Sequence, residues 1–185
     1  MQDFENRFNE IITNISKLVR QWKSLNDDGC KLFKLLINIR LQMKKLKEME
    51  NDNNLNEELI ENELLIKSEE ILRKSEDISI IIFKSKNIFE NIRQNQKKLL
   101  ALQKLSEESS SIQQSSVFLQ FLSQTIEELS QLIFMLEKEY LFHSSAIWDF
   151  AINDNNNLNK FLSIAWEDQI YVDKYILSQF LNEKE

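Results

Sequence analysis

A single glycine and no proline in 185 residues leave this chain almost no means of turning sharply, because tight hairpins and positive-φ turns depend on those residues. Sheets of several strands need such turns, so the shortage argues for helices. The one glycine, Gly29, lies inside a repeating pattern. Phe4, Phe8, Ile11, Ile15, Leu18, Trp22, Leu25, Gly29, Leu32, Leu36, Ile39, Met43 and Leu46 alternate at steps of four and three, the spacing of one continuous helix face. Such a helix reaches roughly 65 Å at about 1.5 Å per residue, more than a compact core requires. The expectation is an all-α chain built as an elongated antiparallel bundle or coiled coil, with a seam that docks other polypeptides.

Charged residues make up 29% of the chain and apolar ones 42%, a mixture that at helical spacing suits a bundle. A formal charge of −7 repels polyanions on average, so direct nucleic-acid binding is not expected and partners should be proteins. The first residues, Met1 to Glu5, show no basic and apolar leader pattern, and no run approaches the roughly 20 apolar residues of a membrane span. A soluble intracellular chain is expected, and Cys30, without a mate, suits a reducing compartment.

The first helix is expected from Asp3 to Glu50, with Asp3 as N-cap, Glu5 in the first turn, and Arg40, Lys44, Lys45 and Lys47 facing the C-terminal carbonyls. Asn51 to Asn54 then forms a turn without glycine. A second helix covers Asn56 to Leu105, burying Ile60, Leu64, Ile71, Ile78, Ile82, Phe89, Ile92, Leu99 and Leu102 along a less regular seam. Within it, the β-branched run Ile78 to Phe83 reads as buried helix, since no turn signal flanks it. Ser106 to Ser116 is polar enough to serve as a flexible connector. A third helix, Val117 to Ile152, carries the stripe Phe118, Leu122, Leu129, Leu132, Leu136, Tyr140, His143, Ile147 and Phe150. After a polar turn at Asn153 to Asn157 come two short helices, Leu158 to Trp166 and Val172 to Leu181. The domain reading is a helical hairpin over 1–105, a connector over 106–116, and a third helix with a helical corner over 117–185.

The residue inventory speaks against catalysis. A phosphate-cradling loop needs several glycines, a structural zinc site about four Cys or His ligands, and a di-iron bundle two Glu-x-x-His pairs; this chain has Cys30 and His143 alone. No metal and no cofactor are expected. His143 with Glu139 one turn earlier could in principle form an acid–base pair, but a lone His on an apolar stripe is expected to be a packed seam residue. Cys30 reads as a small buried hydrophobe. Glu57, Glu58, Glu61 and Glu63 read as a solvated face, as does the Lys44, Lys45, Lys47 group.

Two constellations stand out. In Leu18 to Gly29, a tryptophan, a leucine and the glycine occupy successive seam positions. Interior glycine costs a helix about 1 kcal/mol relative to alanine, so a neighbouring backbone or large side chain is expected to come close there, the alternative being a tolerated helix defect. Asn26 and Asp27 flank the notch and are expected to hydrogen-bond across it. The second constellation, Trp166 to Val172, is an aromatic corner between the two short helices. Tyr171 and Ile170 are its better candidates for exposed anchors, and Trp166 for local packing.

Both constellations resemble the cyclin-dependent kinase 2-interacting protein family. Its early helix has the form Leu-Ile/Val-x-x-Trp-x-x-Leu-Asn-Asp-x-Gly, matched here by Leu18, Val19, Trp22, Leu25, Asn26, Asp27 and Gly29. Its late motif, Trp-x-x-Gln-x-Tyr-Val, falls on Trp166, Gln169, Tyr171 and Val172, with Ile170 standing where that family carries proline. The stretch from Lys138, Glu139 and Leu141 to Ala151 and Leu158 is similar as well. The resemblance implies a non-enzymatic adaptor subunit of an AAA-family ATPase complex, acting in 60S ribosomal maturation and at replication forks. It also implies a second small helical subunit as partner, links to cyclin-dependent kinase and checkpoint proteins, and a nuclear location with a cytoplasmic pool. The alternative reading is a coiled-coil subunit of another assembly, of tethering or kinetochore type.

Overall fold

The computed structural model describes residues 2–51, 57–108 and 115–181. They form α1 (Gln2–Asn51), α2 (Glu57–Glu108), α3 (Ser115–Ile152), α4 (Asn156–Asp168) and α5 (Lys174–Leu181). The class is all-α, and no strand occurs among the described residues.

The helix starts and stops follow local chemistry, in part other than expected. Asp3 lies inside the first turn of α1 rather than capping it, and pairs with Arg7 at 3.1 Å. The last turn of α1 holds no basic residue: the cations stop a turn earlier, and Arg40 is drawn off to α3, as described below. The expected turn at Asn51 to Asn54 falls largely on residues 52–56, outside the described ones, while Asn51 still belongs to α1. The expected connector is partly helical. α2 continues through Ser106 to Glu108, with Ser106 buried, and α3 already begins at Ser115. Polar composition does not break a helix when one polar side chain still has a buried place on its face. α4 is capped by Asn155, whose Oδ1 accepts from the N–H groups of Asn157 (3.0 Å) and Leu158 (3.2 Å). α5 starts two residues later than expected, at Lys174, because Asp173 caps it, accepting from the N–H of Tyr175 at 2.8 Å.

The chain divides into two units, and α1, α2 and α3 each contribute to both. The first comprises Met1–Ser24, Ser85–Tyr140 and Tyr171–Glu185. In it α2 and α3 run antiparallel, since Arg93 meets Glu137, Gln96 meets Ser130 and Gln103 meets Ser123. Phe8 of α1 packs edge-on against Phe118 and Phe121 of α3. Ile15, Val19, Trp22, Ile92, Leu99, Leu122, Leu129, Leu132 and Leu136 are among its driest positions. The Arg20 guanidinium donates to the Leu181 carbonyl from Nη2 (3.0 Å) and Nε (3.3 Å), closing the C-terminal end of α5.

The second unit comprises Leu25–Lys84 and Leu141–Ile170. Its core is Cys30, Phe33, Leu36 and Ile37 of α1, Ile78 of α2, Ala146 and Phe150 of α3, and Leu162 and Trp166 of α4. At one end of it Arg40 reaches the end of α3. Its Nη1 donates to the carbonyls of Phe150 and, at 2.7 Å, Asn153, and its guanidinium carbon lies 3.6 Å from the Phe150 ring centroid. Terminal carbonyls of a helix lack intrahelical donors, and a cation satisfies them while meeting the negative end of the dipole. Burial pushes the Arg40 pKa down and Asp154 opposes that shift.

The run Ile78 to Phe83 is helical as expected but only half hidden. Ile78 is in the core, whereas Ile80 and Phe83 are exposed.

Candidate protein-binding surface

The two sequence constellations meet at Gly29. A Cβ on this residue would stand 2.9 Å from Cζ2 of Trp166 and 3.4 Å from Cγ2 of Ile81. The large neighbour is therefore Trp166 of α4, seated across α1 where only a hydrogen leaves room. The indole is 1% exposed. His143 stacks on it with ring centroids 3.9 Å apart and planes at 12°, and Phe33 lies 5.2 Å away at 29°. Its Nε1 has no hydrogen-bond partner among the described residues. Outside this slot, Lys34 of α1 pairs with Glu167 of α4 at 2.8 Å, and that pairing raises the Lys34 pKa.

This geometry sorts the expected site residues. Val19, Trp22, Gly29, Trp166 and Val172 are buried, and Leu18, Leu25 and Gln169 are half-buried. Asn26 does not bond across the notch as expected: it is buried with its Oδ1 lacking a partner among the described residues, and Asp27 is turned to solvent. Once an indole fills the notch, little space remains there for a polar bridge. Ile170 and Tyr171 are exposed, 52% and 46%. Gln169 ends α4 in the left-handed region, φ 52°, with its N–H donating to the Trp166 carbonyl at 3.3 Å. That reversal turns Ile170 outward.

The corner has a support that the sequence did not reveal. Glu139 is completely buried, and its Oε2 accepts from the backbone N–H of Tyr171 at 3.2 Å. A buried carboxylate receiving a backbone donor is a strong positioning contact. Its sequence trace was a carboxylate on an apolar stripe, legible as unusual but not as a bond to a residue 32 positions on. Met135 Sδ accepts similarly from the N–H of Asp173 at 3.2 Å.

His143 is buried against Trp166, and the Cys30 thiol is buried in the core, its pKa pushed up by desolvation. No metal-holding group of three or more His, Cys, Asp or Glu residues forms among the described residues. A cavity of about 350 Å³ lies beside Arg40, Lys44, Lys47, Ile71 and Asp154, with Lys44 and Lys47 exposed.

Two further exposed faces escaped the sequence reading. On α3, Leu141, Trp148 and Ile152 recur at steps of seven and four and are all more than half exposed, Trp148 at 67%. On α2, Leu59, Leu65, Ile66, Leu72, Ile80 and Phe83 are each more than half exposed and fall within an arc of about 140° at 3.6 residues per turn. Ile60, Leu64, Ile71, Ile78 and Ile82, buried or half-buried, occupy the opposite side. This half of α2 is apolar on two faces, and only one is covered.

No protein-family model matches the chain, and no curated protein matches it. No helix among the described residues is long and apolar enough to cross a membrane.

Proposed function

We propose that this chain is a non-enzymatic adaptor: an elongated antiparallel helical scaffold that binds other proteins along its exposed apolar faces. The observation that carries the reading is the outward row Leu141, Trp148 and Ile152 on α3, since clustered exposed apolar side chains mark interaction sites and tryptophan dominates binding hot spots. The exposed pair Ile170 and Tyr171, on a backbone held by Glu139, adds a second anchor set on a defined turn. The motif resemblance at Leu18 to Gly29 and Trp166 to Val172 supplies the partners. They are an AAA-family ATPase engaged in 60S ribosomal maturation and replication-fork maintenance, a second small helical subunit, and cyclin-dependent kinase or checkpoint proteins. The acidic balance of the chain leaves contact with nucleic acid to those partners. The proposed location is the nucleus, with a cytoplasmic pool.

The test is purification of the tagged chain from its own cells, with identification of what comes with it by mass spectrometry. An AAA-family ATPase and a small helical protein in stoichiometric amounts are expected. Trp148→Ser, an exposed change that leaves helicity intact, should deplete at least one of them. Recovery of no ATPase, or of a tethering or kinetochore assembly in its place, overturns the reading.

A further inference from the structure

We propose that the outward apolar face of α2 pairs with the same face of a second copy of this chain, running in the opposite direction about a two-fold axis at the level of residue 71 along the helix. Charge is laid along that face with a direction of its own, independently of the adaptor reading.

The first half of the face exposes Glu58, Glu61 and Glu69, and the second half exposes Arg73 and Lys84. Glu76 is the exception to this division. Parallel pairing of two copies would set acid beside acid. Reversed pairing sets acid beside base, and with the axis level with residue 71 the correspondence is specific: Glu58 lies level with Lys84 of the second copy and Glu69 level with Arg73. The same register brings Leu59 level with Phe83 and Glu76 level with Ile66, within one turn of Glu69 of the second copy, the one like-charge approach in this arrangement. By two-fold symmetry each of these contacts occurs twice. These charges share the arc of the exposed apolar side chains, and complementary charges at a helix contact set orientation and partner.

The other charges on this part of the helix already have partners within the chain. Lys67 pairs with Glu63 and Glu70, and Lys74 with Asp77. Glu58, Glu69, Arg73 and Lys84 form no ion pair among the described residues. The apolar face runs from Leu59 to Phe83, about three and a half heptads, within the three to four over which coiled-coil pairing is sustained.

Sedimentation of the purified full chain, from low to high micromolar concentration and at two salt concentrations, tests the proposal. A reversible dimer is expected, weakened by salt. Reversing Glu58→Lys and Glu69→Arg together should weaken it about tenfold or more, and adding Arg73→Glu and Lys84→Glu to the same chain should restore it. Leu72→Glu, beside the axis, should leave a monomer with unchanged helicity by circular dichroism. A chain that stays monomeric throughout, or a dimer indifferent to the charge reversals, overturns the proposal. So does a monomer that uses the same residues to hold a different protein. Loss of the ATPase in the purification described above has no bearing on this measurement, and a monomer here has none on that one.

Discussion

Replacing Gly29 by alanine should destabilise the protein, and the sign of that effect is the test. In an open helix interior the same change gains about 1 kcal/mol, because alanine loses less backbone freedom on folding. Here the new methyl carbon would sit 2.9 Å from Cζ2 of Trp166, well inside the roughly 3.5–4.0 Å of a favourable carbon contact. The ring cannot rotate away, since His143 and Phe33 flank it at 3.9 Å and 5.2 Å. Overpacking of this kind costs about 1–3 kcal/mol, which leaves a net loss of about 1 kcal/mol after the propensity gain. For a chain of this size that lowers the melting temperature by about 2–4 °C. Urea titration followed by far-ultraviolet circular dichroism measures it without relying on indole emission. The decisive arm is a double-mutant cycle with Trp166→Phe. The smaller ring removes Cζ2 and an indole N–H that has no partner among the described residues, so in that background Gly29→Ala should turn neutral or stabilising, with a coupling of about 1–2 kcal/mol. A stabilising Gly29→Ala in the unaltered chain, or a cycle with no coupling, refutes the slot as the reason for glycine.

Arg40→Met should cost about 2 kcal/mol in the same titration, because two terminal carbonyls lose a charged donor, whereas Asp154→Asn, at an exposed and distant partner, should cost under about 0.5 kcal/mol. The Cys30 thiol should resist a disulfide reagent at mildly alkaline pH until the protein is unfolded, since burial holds its pKa up. The linkage has a definite sign: the folded state keeps that proton more tightly than the unfolded one, so this contribution to stability is complete below the ordinary thiol pKa and is lost as pH rises above about 8.5. Comparing Cys30→Ala with the unaltered chain in alkaline titrations isolates it. Gln169→Gly should be neutral or stabilising by up to about 1 kcal/mol, because a left-handed φ is strained for any residue with a Cβ; a clear loss of stability would show that the Gln169 side chain matters more than its backbone.

Much of α1 was legible. Every position of the four–three series from Phe4 to Leu46 is buried or half-buried. The series nevertheless traced one edge of the covered stripe, because Val19, Asn26 and Phe33, outside it, are drier than Leu18, Leu25 and Leu32. Periodicity locates an apolar arc but not its centre, which depends on what packs against it. The irregular seam of α2 has a similar origin. Its apolar residues lie on two opposite faces, and spacing alone does not say which one other helices cover. Around Gly29 the sequence announced a bulky neighbour without naming it, since Trp166 lies far along the chain. The reach of Arg40 to Phe150 and the hold of Glu139 on Tyr171 were invisible for the same reason: long side chains choose partners by proximity in space. Ser106 shows the converse limit, a residue assigned to a linker by composition that is nonetheless covered within a helix.

The half-wet character of α2 has a calorimetric consequence. Apolar surface that water already touches contributes nothing to the heat-capacity increment of unfolding, which arises from newly hydrated hydrocarbon. A solitary chain should therefore show a flatter dependence of free energy on temperature than its apolar content suggests. Covering that face moves the hydration step into the melting transition itself, and the curve should sharpen as protein concentration rises.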